Sequence, residues 1–167
     1  MTSLVPFAPL SSVALPEFDL SDLLQEVCEI LQRDSVRRRV PIEIDAPPYT
    51  MVHGDRRQLR GLLLRLIGNA VAASPAGSQI IITAYSDHDG IEVEVADNRS
   101  ECVDLLLDEG LAGGVGEARR LSWSEVQQLV AGCGAQIYAT DCPDGGIALT
   151  VQFPRWTDDE GGSRKAA

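Results

Sequence analysis

The sequence predicts an α/β (α+β) two-layer sandwich: a largely antiparallel sheet with helices packed on one face. Three observations carry this. Leu59, Leu62, Leu63, Leu66, Ala70 and Val71 recur at i, i+3, i+4, i+7, i+11 and i+12, the apolar stripe of an amphipathic helix. Two pairs of alternating segments are joined by turn-forming runs, Asp87-His88-Asp89-Gly90 and Pro143-Asp144-Gly145-Gly146, which read as hairpins. In Ile91–Ala96 the apolar Ile91, Val93 and Val95 alternate with Glu92 and Glu94, so one sheet face is wet and the other covered. A length of 167 residues suits one globular domain.

Met1 to Pro16 is rich in proline and serine and reads as an extended arm, taken to residue 17. From Phe18-Asp19-Leu20-Ser21 a helix begins whose Leu20, Leu23, Leu24, Val27 and Leu31 share a face; it ends between Arg33 and Arg39. Val40–Asp45 alternates as a strand, Ala46-Pro47-Pro48 breaks it, and Thr50-Met51-Val52 is a second, short strand. Asp55 precedes the central helix with Gln58 three residues on, the spacing at which an N-cap carboxylate and a reaching amide satisfy first-turn N–H groups. Pro75-Ala76-Gly77 stops that helix. Strands follow over 78–85 and 91–96, then a short helix (Val103 to Leu107) and a glycine-rich piece with Gly110, Gly113, Gly114 and Gly116. The next helix places Val126, Leu129, Val130 and Cys133 on its apolar face and ends at Gly134. Ala135–Thr140 and Ile147–Phe153 form the last hairpin, and residues 155–167 read as a disordered tail.

The formal net charge of −11 argues against non-specific nucleic-acid binding. No apolar run is long enough to cross a bilayer, and Met1–Phe7 has no basic n-region of a signal peptide. Cys28, Cys102, Cys133 and Cys142 form no CxxC pair, so reduced thiols in a cytoplasmic protein are expected, without zinc. Charge is uneven: Arg33, Arg37, Arg38, Arg39, Arg56, Arg57, Arg60 and Arg65 cluster at the end of the first helix and along the central one. This is either a solvated face with local ion pairs or a docking surface for an acidic partner.

The runs Val52-His53-Gly54-Asp55, Leu62-Leu63-Leu64-Arg65-Leu66-Ile67-Gly68-Asn69-Ala70 and Ser74-Pro75-Ala76-Gly77 closely resemble the N-box of histidine-kinase ATP-binding domains. These belong to the GHKL, or Bergerat-fold, ATPases. The resemblance extends from about Phe18 to Pro154 and implies a mixed sheet with helices on one face. It implies ATP and magnesium as cofactors, with Asn69 holding the ion that bridges the phosphates. From spacing alone Asn69 is equally a solvated residue at the edge of the stripe.

Residue by residue, the family's pattern is only partly kept. Arg65 stands where relatives have a second asparagine, or a glutamate general base in those that hydrolyse ATP unaided; arginine cannot lose a proton at working pH. Ala72 replaces the phosphate-contacting lysine. Asp97 matches the aspartate that reads the adenine amino group; by parity it lies on the apolar side, where a carboxylate needs a partner. Its alternative role is to cap the following turn. Arg99 and Glu101 occupy positions where the family has glycines that let the backbone approach the base, and their side chains are expected to fill or cover that slot. The second glycine box falls on Ala118-Arg119-Arg120-Leu121-Ser122-Trp123, without glycine; Ser122-Trp123-Ser124-Glu125 reads instead as a capping box that consumes the N–H groups phosphates would use. The glycines at 110–116 are either a displaced lid loop or a flexible linker.

Neither His53 nor His88 lies in a helical histidine box, so autophosphorylation within this chain is not expected, and no catalytic residue is assigned. The favoured function is a degenerate, non-catalytic binding and regulatory module of two-component signalling, with a receiver domain or phosphotransferase as partner and neither nucleic acid nor membrane. The alternative is an ATP-binding histidine or serine protein kinase domain that phosphorylates a separate partner. Histidine-kinase dimers form through a helix pair that the arm is too short to supply, so the oligomeric state stays open.

Overall fold

The computed structural model describes residues 16–111 and 121–154. Residues 1–15 of the expected arm, most of the glycine-rich piece, Ala118 to Arg120 and the tail lie outside the described residues. In chain order the elements are β1 (Glu17–Asp19), α1 (Leu20–Arg38), β2 (Ile42–Asp45), β3 (Met51–His53), α2 (Arg56–Ala73), β4 (Ile80–Ser86), β5 (Gly90–Ala96), α3 (Val103–Glu109), α4 (Trp123–Gly132), β6 (Gln136–Asp141) and β7 (Ile147–Pro154).

Five strands form one sheet in the order β2-β4-β5-β7-β6. The β2–β4 pair is parallel and the other three are antiparallel. This is the mixed, largely antiparallel sheet expected. Alternation sets its faces: Ile80, Ile82, Val93, Val95, Leu149 and Val151 are buried under the helices, while Ile81, Tyr85 and Tyr138 on the other side are exposed. The helices answer with Leu20, Leu23, Leu24 and Val27 from α1 and Leu63, Leu66, Ile67 and Ala70 from α2, all in the same core.

Both long helices begin as their sequences require. The Asp55 carboxylate accepts from the N–H groups of Arg57 and Gln58 at 2.8 and 3.2 Å. Asp19 caps α1 by accepting from Ser21 N–H at 2.9 Å, and its other oxygen accepts from Tyr49 N–H at 2.8 Å, fastening the β2–β3 turn to the same carboxylate. Glu26 of α1 then clamps α2 by accepting from Arg56 and Arg60, each at 2.6 Å.

Two expectations are corrected. Glu17 and Phe18, read as the last residue of the arm and the lead-in to a helix, belong to a strand: β1 pairs antiparallel with β3, apart from the main sheet. A three-residue strand carries too short an alternation to be seen in sequence and forms only once β3 lies beside it. Leu129, placed on the buried face of α4, is instead exposed; α4 buries Val126 and Val130, and Leu129 is turned outward one position away.

Candidate functional site

The site is built on the end of β5 and the late turns of α2. The backbone N–H of Asp97 donates to Ile147 C=O at 3.0 Å, so the β5–β7 pairing fixes where the carboxylate starts. The β6–β7 turn closes over it: at Gly146, with φ +96°, a Cβ would lie 1.8 Å from the Asp97 carbonyl oxygen, so only glycine fits. Asp97 faces the covered side of the sheet, as its parity predicts, and its side chain is 2% exposed.

Its partner is Arg99. The backbone N–H of Arg99 donates to Asp97 Oδ1 at 3.1 Å, a turn that folds the chain back on the carboxylate. Arg99 Nε then donates to Oδ1 at 3.0 Å and Oδ2 at 2.8 Å, and Nη2 donates to Oδ2 as well. The same Nη2 reaches Asn69 Oδ1 at 3.0 Å. Nη1 lies 3.9 Å from Glu101 Oε2, and Glu101 is itself partly exposed at the edge of the cluster. The Arg99 side chain, like that of Asp97, is 2% exposed, and Asn69 is fully buried on α2. A buried carboxylate is costly unless paired, and the planar, permanently charged guanidinium fork satisfies both of its oxygens together.

Asn69, Asp97 and Arg99 are therefore brought together, with Glu101 at their margin. In this arrangement the two side chains that the sequence resemblance links to magnesium and adenine, Asn69 and Asp97, are engaged by a fixed positive charge. As arranged, these residues do not fit a nucleotide with its metal: both Asp97 oxygens accept from Arg99, and the Asn69 oxygen faces a cation.

Two assigned positions lie elsewhere. Arg65 lines a groove among α1, α2 and α4 rather than joining this cluster's Arg99 contacts. Ser122 is the N-cap of α4: its Oγ accepts from Glu125 N–H at 3.3 Å, and Glu125 Oε2 accepts from Ser122 N–H at 2.9 Å, the reciprocal capping box that the sequence predicts. Among the described residues one grouping of metal-ligand type occurs, Asp87, His88 and Asp89 in the β4–β5 turn. All three are exposed, and Asp87 Oδ1 accepts from the N–H groups of Asp89 and Gly90, which is turn formation. The contact of Gly146 with Asp97 was not foreseen; the glycine pair in that hairpin turn was its only signal.

No family model matches the chain. It is 27% identical to the sensor-like histidine kinase SenX3 of Mycolicibacterium smegmatis, over 87% of this chain and 41% of that protein. It is 28% identical to sporulation kinase B of Bacillus subtilis, over 81% of this chain and 27% of that protein. A third relative, the histidine protein kinase DivJ of Caulobacter vibrioides, is 32% identical over 48% of this chain and 14% of its own length. The chain thus spans well under half of each of these relatives. Among solved structures, the catalytic domain of histidine kinase ThkA superposes with a TM-score of 0.72 at 18% identity, covering 84% of this chain and 95% of that one. The ATP-binding domain of PrrB from Mycobacterium tuberculosis superposes with a TM-score of 0.67 at 22% identity, covering 86% and 99%. With its sheet order and these matches, the chain has the GHKL, or Bergerat, fold of histidine-kinase ATPase domains.

Proposed function

We propose that this domain is a non-catalytic binding and regulatory module of two-component signalling, acting in the cytoplasm. The observation that carries the proposal is the Arg99 guanidinium, buried between Asp97 and Asn69. Ala72 in place of the phosphate-contacting lysine and the closed capping box of α4 support the same reading. Histidine kinase ThkA has been solved in complex with the response regulator TrrA, and a receiver domain or phosphotransferase is the kind of partner proposed here.

The test is thermal unfolding of the chain with and without excess magnesium-ATP, repeated on Asp97→Asn. A ligand bound only by the native state at about a hundredfold over its dissociation constant adds roughly 2.7 kcal/mol. For a chain of this size that moves the midpoint by roughly 5–10 °C. The expected result is no shift at millimolar nucleotide. A clear shift that vanishes in Asp97→Asn refutes the proposal.

That outcome would favour the second reading, an ATP-binding domain that phosphorylates a separate protein on histidine or serine. What supports it is that Asn69 and Asp97 are both kept and lie in one cluster. It requires Arg99 to leave that cluster when nucleotide enters.

A further inference from the structure

The main sheet stops at β2, whose outer side has no strand beside it among the described residues. The ladder to β4 fixes which backbone groups that side carries. Pro41 C=O accepts from Ile80 N–H at 2.9 Å, and Ile42 and Ile44 register with Ile80 and Ile82. In a parallel ladder this turns the backbone groups of residues 41, 43 and 45 towards β4 and those of Ile42 and Ile44 outward. Among the described residues nothing bonds to the outward N–H and C=O of either isoleucine. Such an edge is a template for another strand. Beside it a groove of about 500 Å³ runs between β2 and α1. Ile42 and Ile44 line it from the strand, and Cys28, Gln32 and Val36, at i, i+4 and i+8, line it from one face of α1. Strand addition uses both features: main-chain bonds to the edge give affinity, and a pocket for alternate side chains gives specificity.

Charge selects the strand. Ile42 and Ile44 are half-buried on the helix side of β2, and Glu43 and Asp45 are exposed on the other. A second copy of β2 paired antiparallel about a twofold axis sets Glu43 against Glu43, or Glu43 against Asp45, in its two fullest registers. Like charges directly opposite are destabilising, whereas lysines at those places make opposite-charge pairs. Arg39 lines the groove just ahead of β2 and makes no ion pair among the described residues. Antiparallel addition is the direction that brings the C-terminal end of a guest strand, with its carboxylate, to Arg39. We infer that the β2 edge and this groove take an antiparallel strand from a partner protein, with apolar residues opposite Ile42 and Ile44, lysines opposite Glu43 and Asp45, and a carboxylate at Arg39. The guest's apolar residues then exchange N–H···O bonds with the two isoleucines, and its lysines turn their N–H groups away. The inference rests on the binding-module reading proposed above and names one surface that such a module uses.

The experiment titrates the full chain into a peptide of about ten residues, alternating valine and lysine, labelled with fluorescein at its N-terminus and read by polarisation. One twin is N-methylated at the valines and another at the lysines. Both keep the peptide's charge, so general attraction to a chain of net charge −11 does not separate them. Saturable binding is expected, weakened roughly tenfold or more by methylation at the valines and kept by methylation at the lysines. Glu43→Lys should weaken the lysine peptide about fivefold, and a twin with glutamates for lysines should regain that loss. Glu43 is exposed, so this variant should melt near the parent, and lost binding is then not lost folding. No saturable binding up to about 1 mM, or equal binding by the two N-methylated twins, overturns the assignment. So does dimerisation in sedimentation velocity that the peptide reverses, because the occupant is then a second copy. The Asp97–Arg99–Asn69 cluster takes no part in this edge. Binding of both magnesium-ATP and the peptide would therefore remove the pseudo-ATPase reading and keep this inference, and binding of neither would remove this inference alone.

Discussion

Replacing Arg99 by methionine keeps much of the side-chain volume and removes the charge. The Asp97 carboxylate, 2% exposed, then loses every side-chain hydrogen bond that Arg99 provides, and the buried Asn69 oxygen loses its donor at 3.0 Å. Breaking a buried pair by removing one partner costs about 3–5 kcal/mol, because an uncompensated charge stays inside. At roughly 2–4 °C per kcal/mol for a chain of this size, Arg99→Met should melt roughly 6–20 °C below the parent. Substituting both partners tests the cause: Asp97→Leu with Arg99→Met removes the charge along with its partner. That double variant should be more stable than Arg99→Met alone, a large positive coupling in the mutant cycle. Urea denaturation with the slope compared across variants is the assay. A loss below about 1 kcal/mol for Arg99→Met, or strictly additive effects, would mean that the pair behaves as a solvated surface contact. The argument that Arg99 occupies the pocket would then fail.

Three further outcomes are expected. Gly146→Ala should destabilise strongly, by more than about 3 kcal/mol, since its Cβ would lie 1.8 Å from the Asp97 carbonyl oxygen; a melting midpoint near the parent's would contradict the close approach. For pH, burial pushes the Asp19 carboxyl up but is outweighed by hydrogen bonds from Ser21, Tyr49 and Thr50, and hydrogen bonds from Arg56 and Arg60 hold Glu26 down. Folded values below the ordinary 3.8 and 4.5 mean stability that is fully present above those values and lost as pH falls through the depressed ones; Asp19→Asn should flatten the acid limb of a stability–pH profile, and an unchanged limb would refute its part. Burial raises the Cys28 thiol to about 11, so an alkylating reagent near neutral pH should modify exposed Cys102 long before Cys28; peptide mass mapping showing equal rates would contradict that burial.

Local chemistry made most of the architecture legible from the chain alone. The Asp55 cap, the apolar stripe of α2, the two hairpin turns and the Ser122–Glu125 capping box act over a few residues, so their structure is written in their spacing. Parity along β5 likewise placed Asp97 on the covered side and required that something pair with it. What paired with it was only half visible: Arg99 is two residues away, and its size at a glycine position marked it as an intruder. That its guanidinium turns inward and also takes Asn69, thirty residues earlier, was decided by the packing of α2 against the end of β5. The same holds for β1, which exists only beside β3, for Leu129, whose face depends on where α1 and α2 lie, and for the groove along the free edge of β2. Periodicity determines which side of an element is apolar. Which neighbour covers that side, and which part of it stays open, depends on contacts between elements far apart in sequence, and these exist only once the layers have packed.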